Sequence, residues 1–503
     1  MWKSFILVGM LVAFLLFSCS SSNSSNDSDI LPDSDINTQD SETVDDDSDT
    51  QDSEIVDDSD EVPEQDEDQD LDHEDFDDTD RINGYKRCYD EIPDDPYEGF
   101  FASPGIEYWV KGVLGYDIDY ELKEEDLEKV TEIGLPFKDI RGIEKLVNLE
   151  SVTFFDTDGN IYDFTPLSKL KKLKEVKIIF SPPEERDPNE EFINMTCLDA
   201  SFSLLTNLES VRINNTDLKD VSPIEQLVNL KTLELDYNKI EYLPQNIGNL
   251  QKLEWLSFLN NKVKDIKPVE SLLNLQLLYF NNNKVSDISA VQNMNRLTSF
   301  GGENNNISDI SPLLKLSDIH YLLLNRNQIT KIPSEIGNLK KLEYLDLSYN
   351  KIEEISDLSG LDSIKELYLS YNKIEDENLI KLDDLKNVQV LNISFNKIKK
   401  IPVLKNIKSL QYILLVGNEI ADLSGFGDNE SFPTLKQLEL QYNKIENAEP
   451  LRKRKGLSHL SIYNNCIKDV SPLEELQENG TYISGMNEQL ESCERTITFV
   501  EGD

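Results

Sequence analysis

The sequence predicts a solenoid in which short parallel strands stack into one long sheet while tight turns form the opposite face. Three observations predict it. The pattern LxxLxLxxNxI occurs eleven times at a period of 22 to 25 residues, every copy has asparagine at its ninth position, and apolar residues alternate with others inside each copy. Because alternate strand side chains point to opposite faces, the apolar ones, such as Leu233 and Leu235, line the core.

Each copy begins with an apolar residue and reaches its asparagine eight residues later. The first positions are Leu230, Leu253, Leu275, Leu297, Ile319, Leu342, Ile364, Val388, Leu410, Leu435 and Leu457. The ninth positions are Asn238, Asn261, Asn283, Asn305, Asn327, Asn350, Asn372, Asn396, Asn418, Asn443 and Asn465. An inward amide can bond backbone groups of adjacent coils that would otherwise be buried without partners, so we expect an asparagine ladder.

This pattern resembles the bacterial leucine-rich-repeat proteins of the internalin type, and the resemblance covers nearly everything after residue 100. The linking segments DISPL (309–313), DVSPL (469–473) and IPSEIGNL (332–339) fit the same family. The resemblance implies an α/β leucine-rich-repeat solenoid with a parallel concave sheet, 3₁₀ or short-helix turns on the convex side, and capped ends. It also implies a binding role.

Upstream the repeat becomes less regular. Leu208 and Leu149 begin units with threonine in place of asparagine, Leu173 begins another, and Val130 opens a partial coil. An open solenoid exposes its core at both ends, and residues 104–129 have the apolar spacing of a covering helix. We therefore expect an N-terminal cap over 81–145, repeats over 146–467 with the most regular stretch from Leu208 to Ile467, and a C-terminal cap over 468–503.

The N-terminus reads as an export signal. Lys3 precedes an apolar run from Phe5 to Phe17, which is too short for a typical membrane span. The sequence LFSC ending at Cys19 resembles a bacterial lipoprotein lipobox, although Phe17 departs from its usual small residue. We expect a signal peptide over 1–18, lipidation of Cys19, and a lipid-anchored location in the bacterial cell envelope, at the outer membrane on its surface or periplasmic side. The alternative is an ordinary cleaved signal with an unrelated cysteine.

Acidic residues dominate the chain, with 97 Asp and Glu against 49 Lys and Arg and a net charge of -48. Residues 20–80 carry 27 of these acids and no Lys or Arg, so 19–80 is predicted to be a disordered linker spanning about 45 Å or more. No glycine lies between Ser20 and Asn83, which argues against calcium loops of the EF-hand type. This charge excludes a nucleic-acid partner and leaves the lipid anchor as the only membrane contact.

Four cysteines remain if Cys19 is lipidated, and in an exported protein they can form disulfides. Cys466 lies in the last repeat and Cys493 in the tail after it, so their pairing would fix the C-terminal cap and leave Cys88 with Cys197. Four cysteines allow three connectivities, and all three stay open at this point.

The sequence offers no arrangement of residues that indicates catalysis. His73, His320 and His459 are the only histidines and lie in separate regions, so neither a zinc site nor a Ser-His-Asp arrangement is indicated. Nucleophile-elbow, phosphate-loop and HExxH motifs are also absent from the sequence. We expect no enzyme activity, no metal and no cofactor, although acid–base pairs among the carboxylates remain possible at this level.

The outward strand positions are the third, fifth, seventh and eighth of each unit, and they are rich in tyrosine. They hold 11 of the chain's 22 Tyr and Trp residues but only one of its 20 Phe. With one exposed leucine added, the predicted partner-binding residues are Tyr237, Trp255, Tyr279, Tyr321, Leu323, Tyr344, Tyr349, Tyr368, Tyr371, Phe395, Tyr412, Tyr442 and Tyr463. Asn282, Asn304, Asn325 and Arg326 could add polar contacts.

Tyrosine and tryptophan offer rigid contact area with a polar end, which is typical of protein-recognition surfaces. We therefore predict binding of a protein ligand, in adhesion or envelope interaction, centred between Tyr321 and Tyr371. The competing explanation is that β propensity alone favours tyrosine on exposed strand faces. Glycan binding and enzyme regulation are the alternative functions.

Overall fold

The computed structural model describes residues 81–83, 85–86, 88, 99–101, 103–157, 159–161, 163–182, 194–427 and 431–493. The predicted signal peptide, Cys19 and the acidic linker lie outside the described residues. So does the end of the chain from residue 494.

A long parallel sheet dominates the described part of the chain. In chain order the strands are β1 (Arg81–Ile82), β2 (Tyr85–Lys86), β3 (Glu132–Leu135), β4 (Ser151–Phe155), β5 (Glu175–Ile179), β6 (Ser210–Asn214), β7 (Thr232–Glu234), β8 (Trp255–Ser257), β9 (Leu277–Tyr279), β10 (Ser299–Gly301), β11 (Tyr321–Leu323), β12 (Lys331–Ile332), β13 (Tyr344–Asp346), β14 (Glu354–Ile355), β15 (Glu366–Tyr368), β16 (Val390–Asn392), β17 (Tyr412–Leu414), β18 (Gln437–Glu439), β19 (His459–Ser461) and β20 (Tyr482–Ser484). Sixteen of them form one sheet in chain order from β3 to β20, without β12 and β14, which pair separately. β1 and β2 form a hairpin.

Short helical turns connect the strands, as the sequence predicts. The α-helices are α1 (Pro104–Leu114), α2 (Glu124–Leu127), α3 (Thr165–Ser168), α4 (Asp376–Leu379) and α5 (Ser471–Glu478). The 3₁₀ turns are Ile143–Lys145, Ala200–Leu204, Ser222–Gln226, Ile247–Asn249, Lys267–Val269, Ser289–Val291, Ser311–Leu313, Ser334–Asn338, Ile380–Asp384, Ser424–Phe426 and Glu449–Leu451. A strand, a helical turn and the segment that leads back to the next strand therefore make one coil. The predicted leucine-rich-repeat solenoid is confirmed.

The core lies between the sheet and the turns and is built from the repeated apolar positions. Leu233 and Leu235 are fully buried, as are their counterparts in later coils. Phe258 and Phe280 occupy the sixth position of successive coils, and Phe300 packs against them from the fourth position of the next coil, with ring centroids 5.7 and 5.2 Å apart. A coil alone could not cover these side chains, so stacking of coils is what buries them.

The asparagine ladder is present in all eleven units. Asn261 is representative, because its Nδ2 donates to the carbonyl of Phe258 in its own coil (3.1 Å) and of Leu235 in the preceding coil (2.9 Å), while its Oδ1 accepts from the N–H of Ile240 (3.0 Å). One amide thus satisfies groups on two coils that water cannot reach.

The N-terminal end of the sheet is covered by α1. Ser103 caps this helix by accepting from the N–H of Gly105 (3.1 Å), Pro104 opens it, and Gly115 ends it in a left-handed conformation. Ile106 and Val110 are fully buried against the edge strand β3.

At the C-terminal end the sheet continues past Ile467 by one strand, β20. Gln489 then takes the place of a ladder asparagine. Its Nε2 donates to the carbonyl of Ile462 (3.1 Å) and its Oε1 accepts from the N–H of Ile467 (3.4 Å).

Two disulfides join Cys88 to Cys197 and Cys466 to Cys493, with Cα atoms 5.8 and 5.7 Å apart. The structure confirms the predicted pairing of Cys466 in the last repeat with Cys493 in the tail, and with it the remaining pair, Cys88 and Cys197. The first disulfide holds the β1–β2 segment against the turns of the coils at 200–226. There Tyr85 also donates to Glu225 (3.1 Å).

Candidate functional site

The concave face consists of four columns of side chains, which are the third, fifth, seventh and eighth positions of successive coils. Parallel pairing keeps the third and fifth positions in register from one strand to the next. The predicted partner-binding residues occupy all four columns. The third column holds Trp255, Tyr321, Tyr344 and Tyr412, the fifth Tyr279, Leu323 and Tyr368, the seventh Tyr463, and the eighth Tyr237, Tyr349, Tyr371, Phe395 and Tyr442.

The eighth column has a backbone conformation that the repeat pattern does not reveal. In all eleven regular coils its residue has a positive φ, between 50° and 64°. Asparagine and glycine tolerate this left-handed region, and they fill it at Asn260, Asn282, Asn304, Gly417 and Asn464. Tyrosine and phenylalanine tolerate it poorly, at a cost of about 1–2 kcal/mol each. The eighth column is therefore not strand backbone, and bulky rings there oppose local preference.

Four of these eighth-column residues form a continuous stack. The guanidinium of Arg326 lies 4.5 Å from the ring centre of Tyr349. Tyr349 and Tyr371 stack at 4.1 Å with 10° between their planes, and Tyr371 and Phe395 stack at 4.2 Å with 14°. We call Arg326, Tyr349, Tyr371 and Phe395 the ring stack. Tyr349 is 39% exposed, so the stack presents ring surface to solvent.

A second group of tyrosines lies on the neighbouring strands β11, β13 and β15. Tyr321 is in register with Tyr344, and the rings of Tyr344 and Tyr368 are 5.3 Å apart. The structure therefore brings together six of the predicted residues within three coils, together with Phe395 in the next coil. This is the predicted contact centre, and the remaining predicted residues lie along the sheet on either side of it.

The prediction that Leu323 is an exposed apolar side chain is wrong. Leu323 is only 7% exposed, because its strand is paired on both sides and it lies in register between Gly301 and Asp346. Tyr279 is also engaged within the protein. Its hydroxyl donates to Ser299 (2.8 Å), and its ring covers Gly301, where an added Cβ would lie 2.5 Å from the ring.

Carboxylates alternate with the tyrosines at the contact centre, and they are not among the predicted partner-binding residues. Tyr344 faces Glu366 across the strand pair, and Asp346 faces Tyr368. Tyr368 donates to Glu366 (2.9 Å), and Glu303 lies close enough to act electrostatically on both Tyr344 and Asp346. We call Tyr344, Tyr368, Glu303, Asp346 and Glu366 the acidic tyrosine patch.

Burial perturbs the ionisable groups of this patch. Removal from water raises the pKa of Asp346 to about 6, although the N–H of Ser348 donates to it at 2.9 Å and opposes the change. Burial also raises the pKa of the Tyr344 hydroxyl, and the nearby charges of Asp346, Glu366 and Glu303 add to the effect.

This raised pKa predicts that stability depends on pH. Folded Asp346 holds its proton up to about pH 6, whereas the unfolded residue releases it near 3.8, so stability is lost as pH rises through this window. Asp346→Asn keeps an acceptor for Ser348 and should stabilise the protein by about 1–3 kcal/mol at pH 7.5, with no gain at pH 4. Urea unfolding of both proteins at the two pH values measures the difference. An equal gain at both values would contradict the assignment.

Two further observations concern metals and membranes. Across the described ranges, no group of three or more His, Cys, Asp or Glu side chains is arranged to hold a metal ion. Among the same residues, no helix combines the length and apolar character needed to cross a bilayer.

Sequence comparisons identify leucine-rich repeats in three stretches. The family described as "Leucine rich repeat" matches 317–374, "Leucine Rich repeats (2 copies)" matches 362–406, and "Leucine Rich Repeat" matches 229–250. The human protein "Leucine-rich repeats and immunoglobulin-like domains protein 3" is 28% identical over 162 residues, which are 32% of this chain. Fission yeast adenylate cyclase is 26% identical over 186 residues. The matched stretches span only 13% and 10% of these two relatives.

Solved structures resemble the chain over a larger share of its length. The Listeria monocytogenes internalin inlF is 27% identical, with a TM-score of 0.50 over 62% of this chain and 95% of that one. A leucine-rich-repeat protein of Leptospira interrogans is 24% identical, with a TM-score of 0.59 over 72% of this chain and 97% of that one. The functional domain of InlJ from Listeria is 19% identical, with a TM-score of 0.52 over 76% and 79%. The last two likenesses concern the fold alone.

Proposed function

We propose that this chain is a non-catalytic envelope protein that binds a protein partner on its concave face. Its leucine-rich-repeat solenoid is of the kind used for protein–protein interaction, which supports this proposal. The ring stack and the acidic tyrosine patch form the centre of contact. The acidic segment before residue 81 acts as a spacer, and lipid on Cys19 holds the chain at the membrane. Adhesion or envelope interaction is the resulting role.

The ring stack is the observation that carries this proposal. β propensity explains a tyrosine in a strand, but it does not explain Tyr349, Tyr371 or Phe395, whose backbone is left-handed. Five other coils place asparagine or glycine at this position, whereas Tyr237 and Tyr442 hold it outside the stack. Three consecutive coils therefore replace better-suited residues with aromatic ones beside the tyrosines of β11, β13 and β15, and such clusters of rings are typical of binding hot spots. Mutual stacking offsets part of the backbone cost, at about 0.5–1.5 kcal/mol per ring pair.

Replacing Tyr349 and Tyr371 with asparagine tests the proposed site. The column holds asparagine elsewhere, so Tyr349→Asn/Tyr371→Asn should fold with a small change in stability. Two hot-spot rings contribute on the order of 2 kcal/mol each, so affinity for the partner should fall at least thirtyfold. The partner is first captured by cross-linking from the source cell, and its Kd is then measured with both proteins purified.

The matched control replaces two exposed tyrosines outside the concave columns, Tyr108 and Tyr242, which are 57% and 72% exposed. Tyr108→Asn/Tyr242→Asn makes the same chemical change away from the proposed site and should retain affinity within threefold. Equal affinity of both double variants would place the site elsewhere. Binding on a glycan array that depends on Tyr349 and Tyr371, without a captured protein, would instead support glycan recognition.

The lipid anchor is tested separately from binding. Cells fed a clickable palmitate analogue should label the wild-type chain, and Cys19→Ala should remove the label and release the chain from the membrane fraction. Labelling that persists in Cys19→Ala would reject the anchor and leave the binding site untouched.

A further inference from the structure

The charge of the concave face is markedly one-sided. In the eleven regular coils its outward columns contain six carboxylates, Glu234, Asp236, Glu303, Asp346, Glu366 and Glu439, and one arginine or lysine, Arg326. That arginine is stacked on Tyr349 at 4.5 Å. Lysines of the same coils pair with acids away from these columns, as Lys365 does with Glu343 (2.6 Å). Glu234 is paired with Arg212 of the preceding strand (3.3 Å), so the excess of negative charge lies in the coils after it.

Three of the six carboxylates lie in the acidic tyrosine patch, where Lys365, itself paired with Glu343, acts electrostatically on Glu366 without contacting it. Within the described part of the chain, no lysine or arginine forms an ion pair with Glu303, Asp346 or Glu366. Their bonds are to neutral groups. Glu303 accepts from the amide of Asn281 (3.4 Å), Asp346 accepts from the N–H of Ser348, and Glu366 accepts from Tyr368.

The geometry of the patch suits a cation. On the strand pair β13–β15, two rings and two carboxylates alternate in register, so each ring lies beside a negative charge. A cation over a tyrosine ring is attracted by its π electrons, more strongly when the site is dry. Asp346 is already largely removed from water, so an arriving positive charge would offset a desolvation cost that the free protein bears.

We infer that the protein partner places a lysine or arginine side chain on the acidic tyrosine patch, against the rings of Tyr344 and Tyr368 and next to Asp346. The inference rests on the proposed function and specifies the chemistry of its partner. The contact between Arg326 and Tyr349 shows a guanidinium packed on a ring of the same face. The partner's basic side chain would make an equivalent contact with the rings of Tyr344 and Tyr368, in the third and fifth columns. There it would also meet the carboxylates of the patch.

Peptides selected on the full chain from a random 12-residue library test this inference before the partner is known. An excess of synthetic peptide covering residues 20–80 removes binders of the acidic segment. Each selected peptide is then remade with citrulline for arginine or norleucine for lysine, which removes charge and keeps length. We expect at least a tenfold loss of affinity at one basic position.

The site is located with matched charge variants. Glu303→Gln/Asp346→Asn removes two negative charges from the patch, and Glu335→Gln/Glu354→Gln removes two from exposed positions outside the concave columns. When the first variant is the binding protein, replacing the peptide's basic residue with citrulline or norleucine should change affinity less than threefold. When the second variant is used, the same replacement should still cause the tenfold loss.

Two results would overturn the inference. One is a selection that yields no peptide dependent on a basic residue, and the other is the same charge dependence in both variants. The same variants show whether the proposed binding site is correct even if the basic contact is not. If Tyr349→Asn/Tyr371→Asn abolishes peptide binding while the patch variant keeps it, the concave site stands and the basic contact fails. If all variants keep binding, both fail.

Discussion

Asn305→Ala is expected to destabilise the solenoid by about 2–5 kcal/mol. Asn305 is 6% exposed, and its Nδ2 donates to the carbonyls of Phe280 (3.1 Å), Gly302 (3.2 Å) and Glu303 (3.0 Å), while its Oδ1 accepts from the N–H of Val285 (2.9 Å). Alanine leaves these groups without a partner, and each orphaned buried group costs about 1–3 kcal/mol before relaxation. Denaturant unfolding, followed by circular dichroism, measures the loss.

The neighbouring residue provides the control. Asn306 has an exposed side chain that makes only a long contact with the carbonyl of Lys284 (3.5 Å), so Asn306→Ala should change stability by less than about 0.5 kcal/mol. Similar losses for the two variants would mean that the ladder amides contribute no more than surface ones.

Removing the Cys88–Cys197 disulfide is expected to cost more than removing the Cys466–Cys493 disulfide. The cysteines are 109 residues apart in the first case and 27 in the second, and the chain-entropy relation gives about 4–5 and 3–4 kcal/mol as upper values. Double serine variants of each pair, compared by thermal and urea unfolding, measure the order. A variant with all four of these cysteines replaced by serine serves as a check. The wild-type protein in reductant should have the same stability as this variant.

A reversed order would indicate that the ends, rather than chain entropy, control unfolding. The Cys466–Cys493 bond lies beside Gln489, so its loss would then expose the last coil and start unfolding from there. Hydrogen exchange that is fastest in residues 457–493 of the Cys466→Ser/Cys493→Ser protein would identify this route.

The sequence was sufficient for the parts of the fold that are periodic. Leucine spacing and the ninth asparagine predicted strands, core and ladder, because one backbone geometry repeats and each coil imposes the same requirement. The last coil was not predicted. Its pattern fails at Gly485, where the motif requires an apolar residue, and its ladder amide is supplied by Gln489 rather than by an asparagine at the ninth position.

The site was predicted less completely, because the variable positions of the motif follow no period. The excess of tyrosine at outward positions is visible in the sequence, but the left-handed backbone of the eighth column is not. Tyr349 and Phe395 by themselves favour a strand. The signal was nevertheless present in the column, where Asn260 and Gly417 favour a positive φ. The burial of Leu323 and the dry setting of Asp346 depend on neighbours in other coils, and those are visible only in three dimensions.

The asparagine ladder gives the solenoid a direction. Each ladder amide bonds backward, as Asn261 does to Leu235 and Ile240 of the coil before it, and Gln489 does for the last regular coil. A coil therefore has unmet donors and acceptors until its successor is in place, whereas loss of a predecessor leaves the successor's own-coil bonds intact. In a chain delivered amino end first, the coils would close in order, because the backbone groups of each coil meet their ladder amide only when the next coil arrives.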